Sequence, residues 1–170
     1  MKKNGTVQSA YENGQRSAEA RFSKGKLDGL SRYWHENGVL AFEIPLKGGL
    51  RHGMCKQWSK SGQLLGSFKM NGGTGVVRHW YSNGQLHYEM DTLRGIPNGR
   101  QRIWSEKGKL VSELFYVDGK SVSISQYRAA CKRNPGLPVH SATSTPRTMR
   151  STRGATLLRC VLPDGDGFSF

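Results

Sequence analysis

The sequence predicts a mainly β protein, built as an elongated and twisted antiparallel meander of hairpins. Two observations support this fold class. Glycines recur at intervals of 24, 24, 22 and 24 residues, at Gly14, Gly38, Gly62, Gly84 and Gly108. A run of alternating apolar and polar residues follows Gly84, as expected for a half-buried strand. A fixed period in the 20s indicates an array of five small structural units.

Other residue types recur at fixed distances from these turn glycines. A tryptophan precedes four of them by four residues: Trp34, Trp58, Trp80 and Trp104. In three of the four units that have this tryptophan, a glutamate follows the turn glycine by five residues: Glu43, Glu89 and Glu113. A second glycine column, Gly25, Gly49, Gly73, Gly95 and Gly119, indicates the opposite turn of each unit. These columns define the repeat as a structural unit.

The dipeptide Asn37-Gly38 is the kind favoured in two-residue type I′ hairpin loops. Residues on either side of such a loop face each other in pairs. The predicted pairs place a basic residue opposite an acidic one in three units: Arg32 and Glu43, Arg78 and Glu89, Arg102 and Glu113. Cross-strand pairs of opposite charge contribute roughly 0.2–1 kcal/mol each. We expect the tryptophans to lie on this charged face, where they cover the stems of the basic side chains.

The opposite face of the predicted sheet is apolar and needs a cover. It carries Tyr33 opposite Phe42, and His79 opposite Tyr88. The cover expected at its C-terminal end is a helix over Ile124–Arg133, because Ser123 and Gln126 form a capping box. The helix residues expected to face the sheet are Tyr127, Ala130 and Cys131. The sheet residues that they would cover are Leu110, Leu114 and Tyr116.

Composition changes divide the chain into three predicted parts. Residues 1–120 form the repeat array, and residues 121–138 form the short helix and its stop. Residues 139–170 are predicted to form a basic, disordered tail, because residues 141–154 are rich in Ser, Thr and Arg without periodic apolar positions.

Charge and cysteine content restrict the class of partner and the compartment. The 170-residue chain has a formal net charge of +14, which favours acidic partners such as nucleic acid, an anionic membrane or an acidic protein. Three widely spaced cysteines suit a reducing compartment. The N-terminus lacks an apolar segment typical of a signal peptide, and no apolar run approaches the ~20 residues of a membrane helix. We therefore expect a cytoplasmic protein.

No residue pattern predicts catalysis, a metal site or a cofactor. His52 and Cys55 have a local spacing found in metal sites, but further ligands are missing. Asp164 and Asp166 resemble part of a calcium loop that lacks its closing glutamate. The recurring glutamates are better explained as partners of the facing arginines than as general acids, since they follow the structural repeat.

The aromatic residues allow two interpretations. A row of tryptophans beside cations could stack on single-stranded nucleic acid, or it could be the hydrophobic spine of the sheet. We favour the spine, because each tryptophan occupies the same place in its unit. The aromatic positions that we expect to be exposed and best suited to bind a partner protein are Phe42, Tyr81, His87 and Tyr88, at strand ends and on sheet faces.

The segments WHENGVLAFE, WYSNGQLHYE and WSEKGKLVSE resemble the MORN-repeat variant of bacterial proteins, in particular the YwqK-family antitoxins. The resemblance covers residues ~11–120. It implies an antiparallel meander with a non-enzymatic binding role, and the antitoxin label implies neutralising a toxin by direct contact. The chain departs from the pattern at Arg16, at Ser67 and in its shortened third unit.

These observations lead to a prediction of function with two alternatives. The expected protein is a non-enzymatic protein-interaction module, an antitoxin or immunity-type protein that covers the working site of a toxin. A basic binder fits an acidic toxin surface. The alternatives are a MORN module that binds anionic membranes, where each basic residue contributes about 1 kcal/mol, and nucleic-acid binding through the basic tail.

Overall fold

A computed structural model describes residues 3–140, which form one unit with a single sheet and one helix. The strands are β1 (Gly5–Ala10), β2 (Arg16–Ser23), β3 (Lys26–Trp34), β4 (Leu40–Lys47), β5 (Leu50–Arg51), β6 (Gly53–Trp58), β7 (Leu64–Asn71), β8 (Thr74–Trp80), β9 (Leu86–Leu93), β10 (Ile96–Trp104), β11 (Leu110–Val117) and β12 (Lys120–Val122). The helix is α1 (Ile124–Arg133). The predicted tail residues 141–170 lie outside the described residues.

Successive strands pair in an antiparallel meander, which confirms the predicted fold class. The order across the sheet follows the sequence, with the two-residue strand β5 pairing only with β4. The predicted register is also observed: Arg32 faces Glu43, Arg78 faces Glu89, and Arg102 faces Glu113. Opposite charges therefore alternate along one row across the sheet.

The Asn-Gly turns differ from the predicted two-residue type I′ loops. The Gly38 amide donates to the His35 carbonyl, and the His35 amide donates to the Val39 carbonyl, so the loop has three residues. Asn37 keeps a negative φ, whereas Gly38 adopts a φ of 81°. This is a type I turn followed by a left-handed glycine. The register survives because a bulge beside Trp34 restores the offset that the longer loop introduces.

Type I′ loops occur instead at the opposite edge of the sheet, which is formed by the other ends of the strands. Two-residue loops connect neighbouring strands there. Both loop residues have positive φ in each case: Lys24-Gly25, Gly48-Gly49, Gly72-Gly73, Arg94-Gly95 and Asp118-Gly119. The second glycine column of the sequence thus supplies the second residue of each of these loops. Gly99, with φ 133°, lies inside β10 at an irregularity in its pairing with β9.

Neighbouring hairpins are joined through their turns as well as their strands. Asn83 accepts a hydrogen bond from the Gln85 amide at 2.9 Å and donates to the Glu106 carbonyl of the next turn at 3.2 Å. Asn13 and Asn37 make the equivalent bonds in their units. The Asn column therefore fixes each turn and also ties it to the following one.

The helix forms where predicted but packs on a different face. The Ser123 side chain caps its N-terminus, and Tyr127, Ala130 and Cys131 face the sheet as expected. Their partners are Phe115 and Val117, which lie on the charged face with Glu113, rather than the predicted Leu114 and Tyr116. The prediction of the docking face was wrong because the chain leaves β12 next to Phe115, which pairs with Val122.

Candidate interaction surface

The apolar face of the sheet is concave. Phe42 in β4 and His79 in β8 have ring centroids 5.9 Å apart, although β6 and β7 lie between their strands. In a flat sheet these strands would be about 14 Å apart, at about 4.8 Å per step. The sheet therefore curves toward this face, and the curvature buries residues that a flat single layer would expose.

Two kinds of residue fill the concave face. One cluster consists of Cys55, Phe68, Met70 and Val77, with Ile44, Trp80 and Tyr88 packed against it. Small residues, including Ala18, Ala20 and Ser31, are almost fully buried toward the first strands. The small residues leave space beside the larger cluster.

That space is a cleft of about 310 Å³, which we call the concave cleft. Its lining residues are Leu27, Ser31, Tyr33, Ile44, Leu46, Gly49, Leu50, Arg51, Met70, Gly73, Thr92 and Gly95. Half of these twelve residues have apolar side chains, and Arg51 is the one charged residue among them. The cleft therefore combines apolar side chains with a single positive group.

Arg51 influences three neighbouring ionisable side chains. Burial, together with the charges of Arg51 and His87, lowers the pKa of His79 to about 4. Burial raises the pKa of the Tyr33 phenol and of the Cys55 thiol, and Arg51 opposes both shifts. All three groups are therefore neutral near pH 7. None of the ion pairs among the described residues involves Arg51.

The predicted partner-binding residues fall into two contact groups. His79 packs on Phe42 and on Tyr88, each at a centroid distance of 5.9 Å. Tyr81 and His87 have centroids 4.3 Å apart beside the turn, where the Tyr81 hydroxyl donates to the Trp104 carbonyl. Phe42 is only 7% exposed, so the expectation of an exposed side chain there is wrong. Partner binding by the four residues stays a prediction.

The charged face is occupied by its own ion pairs. Arg32 lies 3.0 Å from Glu43, and Arg78 lies 3.5 Å from Glu89. Arg102 faces Glu89 on β9 and Glu113 on β11, and its side chain pairs with Glu89. Glu113 instead pairs with Arg100 at 3.8 Å. These contacts occupy Glu43, Glu89 and Glu113 as structural partners of arginine.

The tryptophans do not form one continuous stacking surface. The Arg102 guanidinium lies 4.8 Å from the Trp104 ring centre, as the expected covering of basic stems requires. Trp80 instead joins the concave cluster, with its ring 6.4 Å from that of Phe68 and directly over Gly66. The expectation that all four lie on the charged face is therefore wrong for Trp80, whose ring fills the space that Gly66 leaves without a side chain.

Of the two metal-like patterns in the sequence, the one at His52 and Cys55 lies in the part that the structure describes. His52 Nδ1 accepts a hydrogen bond from the Gly72 amide at 3.2 Å, so it serves the neighbouring turn. Residues 3–140 contain no group of three potential metal ligands. The calcium-like Asp164 and Asp166 lie outside the described residues. Within 3–140, no helix has the length and apolar character needed to span a membrane.

Sequence reasoning missed Arg51, the charged residue of the concave cleft. It lies two residues after Gly49, in a column that holds Leu27, Pro97 and Ser121 after the corresponding glycines of other units. A charged residue at a repeat position that is uncharged in the other units was the signal that could have identified Arg51. Leu27 itself lines the same cleft, so the column points toward the concave face.

Comparison with known families supports the repeat assignment. The family model described as the MORN repeat variant matches residues 27–47, 74–92 and 97–118. These segments correspond to β3–β4, β8–β9 and β10–β11, so each match covers one hairpin. Repeats of this kind suggest a module that interacts with proteins or membranes. No match to the chain is found among curated proteins.

Proposed function

We propose that this protein is a protein-interaction module of the antitoxin or immunity type, which neutralises a toxin by covering its working surface. The observation that carries the proposal is the concave face, where a curved apolar surface surrounds an open cleft with one cation. Protein interfaces take most of their binding energy from a few aromatic and arginine anchors in desolvated pockets. Tyr88 and Arg51 are groups of this kind.

The net charge selects among possible toxins. With a formal charge of +14, the protein is repelled by cationic surfaces, such as the sites with which nucleases bind phosphates. An acidic toxin surface is attracted, and this attraction raises the association rate more than it raises the final affinity. The proposal therefore includes an acidic protein partner in the cytoplasm.

A second candidate function, binding to an anionic membrane, is favoured by the edge that carries the type I′ loops. Basic residues recur there at Lys24, Lys47, Arg94 and Lys120, and exposed Leu93 and Ile96 flank one loop. Basic and apolar side chains together suit a lipid surface. The loop residues Gly49, Gly73 and Gly95 also line the concave cleft, but none of these four basic residues does. The two candidates therefore predict different side chains.

The experiment separates these candidates by binding partner and salt dependence. The purified chain is presented with a protein partner captured from the native host, with vesicles containing anionic lipid, and with single-stranded DNA, each at two salt concentrations. Binding to one protein that persists at physiological salt and is weakened by Tyr88→Ala supports the antitoxin proposal. Salt-sensitive binding to vesicles or DNA with no protein partner contradicts it. Lys47→Gln with Arg94→Gln is the matched variant for the membrane candidate.

A further inference from the structure

Arg51 is a half-buried cation beside apolar side chains, without an ion-pair partner among the described residues. Such a charge is costly to desolvate unless an anion pairs with it. The guanidinium group matches a carboxylate through two parallel hydrogen bonds. A partner that fills the cleft thus removes water from Arg51 and must supply the counter-charge.

The neighbouring groups limit the charge of that partner. His79, Tyr33 and Cys55 are neutral near pH 7, so the cleft supplies one positive charge. A phosphate dianion would need further cations, whereas a carboxylate is matched by one. Leu27, Ile44, Leu46, Leu50 and Met70 supply apolar contacts around it. The fitting ligand is an aspartate or glutamate flanked by aliphatic residues.

We propose that Arg51 recognises an aspartate or glutamate side chain of a partner-protein segment whose aliphatic neighbours occupy the concave cleft. This inference rests on the proposed function, because it assigns a recognition residue to that protein interface. It also specifies the partner chemistry: an acidic residue within an apolar segment, rather than an acidic surface in general. About 310 Å³ accommodates a few side chains, so the contact is one anchor within a wider interface.

The test uses the full chain and two pools of N-acetylated, C-amidated seven-residue peptides. One pool has Asp or Glu at the centre between Leu, Val and Ile, and the other has Asn or Gln at the same place. Binding is followed by titration calorimetry and by the NMR signal of the Arg51 Nε–H group. We expect the acidic pool to bind at least about tenfold more tightly and to shift that signal, because only it pairs with the buried charge.

Variants connect the discrimination to Arg51. Arg51→Gln abolishes the preference for the acidic pool, whereas Arg51→Lys keeps part of it, since lysine retains the charge without the two-pronged geometry. Arg128→Gln, at an exposed position of the helix and outside the cleft lining, is the matched control and leaves the preference unchanged. If Arg51→Gln fails to fold, the comparison of the two pools with the unmodified chain and Arg51→Lys still decides the question.

Four outcomes overturn the inference. If both pools bind equally, the cleft does not recognise a carboxylate. If Arg51→Gln binds the captured partner protein with full affinity, Arg51 is not a recognition residue, and the proposed function is unaffected. A shift of the Arg51 signal in Asp164→Asn/Asp166→Asn without peptide assigns the cleft to this chain's own residues. Dimerisation that depends on Arg51 assigns it to a second copy.

Discussion

His140 Nε2 lies 2.6 Å from Asp91 Oδ2, which joins the segment after the helix to strand β9. The same carboxylate oxygen accepts a hydrogen bond from the Arg100 amide at 2.7 Å. The His140 ring stacks on Tyr127, whose hydroxyl donates to the Pro138 carbonyl. Residues after the helix therefore return to the charged face and hold the helix against it. His140 belongs to the predicted tail in the sequence interpretation, yet it packs on the sheet.

Replacing His140 tests this contact. His140→Ala should lower the free energy of unfolding by about 1–3 kcal/mol, because Asp91 is buried and loses a partner. Val139→Ala is the matched control, since Val139 is 85% exposed and its change should stay within about 0.5 kcal/mol. Urea denaturation measures both. Equal midpoints for the two variants would show that the contact does not hold the segment in place.

Gly66 should tolerate no side chain. A Cβ at this position would lie 2.3 Å from the Trp80 ring, although Gly66 has no unusual φ. Gly66→Ala should therefore destabilise the fold by about 1–3 kcal/mol through overpacking. Trp80→Phe provides the test of the cause, because the smaller ring makes room for the added methyl group. The two substitutions combined should cost clearly less than the sum of their separate effects, as measured by thermal denaturation; simple additivity would contradict the proposed clash.

Asn83 should contribute to stability in two separable ways. Asn83→Ala loses both the bond within its turn and the bond to the next turn, so we expect a loss of about 1–2 kcal/mol in unfolding free energy. Asn83→Asp keeps the acceptor for the Gln85 amide and should lose about half as much. Lys107→Asn is the informative comparison. An asparagine there can accept the bond within its own turn, but among the described residues no further turn of this type follows to accept a second bond. A loss in Asn83→Asp as large as in Asn83→Ala would place all the stability in the bond between turns.

Acid should destabilise the protein through His79. Its pKa falls from 6.5 to about 4 in the folded state, because burial and the charges of Arg51 and His87 disfavour the protonated ring. The unfolded chain thus binds more protons between these values, and stability is lost as the pH falls below about 6.5 toward 4. The contribution is up to about 3 kcal/mol, at 1.36 kcal/mol per pKa unit.

The measurement compares urea denaturation at pH 7.5 and pH 4.5 for the unmodified chain and for His79→Phe. Phenylalanine keeps a ring against Phe42 and Tyr88 but cannot take up a proton. We expect a smaller loss of stability on acidification in the variant. Parallel pH dependence in the two proteins would attribute the acid sensitivity to other groups.

The repeat spacing by itself determined the meander, the five units and the strand register. A period of 24 residues with fixed turn glycines leaves few ways to pair strands, and one residue of slip would exchange the two faces. Arg32 therefore had to face Glu43. The capping box placed the helix within its observed bounds for a similar reason, because Ser123 and Gln126 satisfy the first amides locally.

Only the tertiary structure decided the turn types, the curvature and the face that the helix covers. An Asn-Gly pair suits two kinds of loop, and the observed three-residue loop also forms at Ser61-Gly62 and Lys107-Gly108, where Asn is absent. Curvature is set by contacts between distant strands, such as Phe42 with His79, which no local pattern contains. The concave cleft and the position of Arg51 within it follow from that curvature. The sequence specified which residues pair, and long-range packing determined which surface they form.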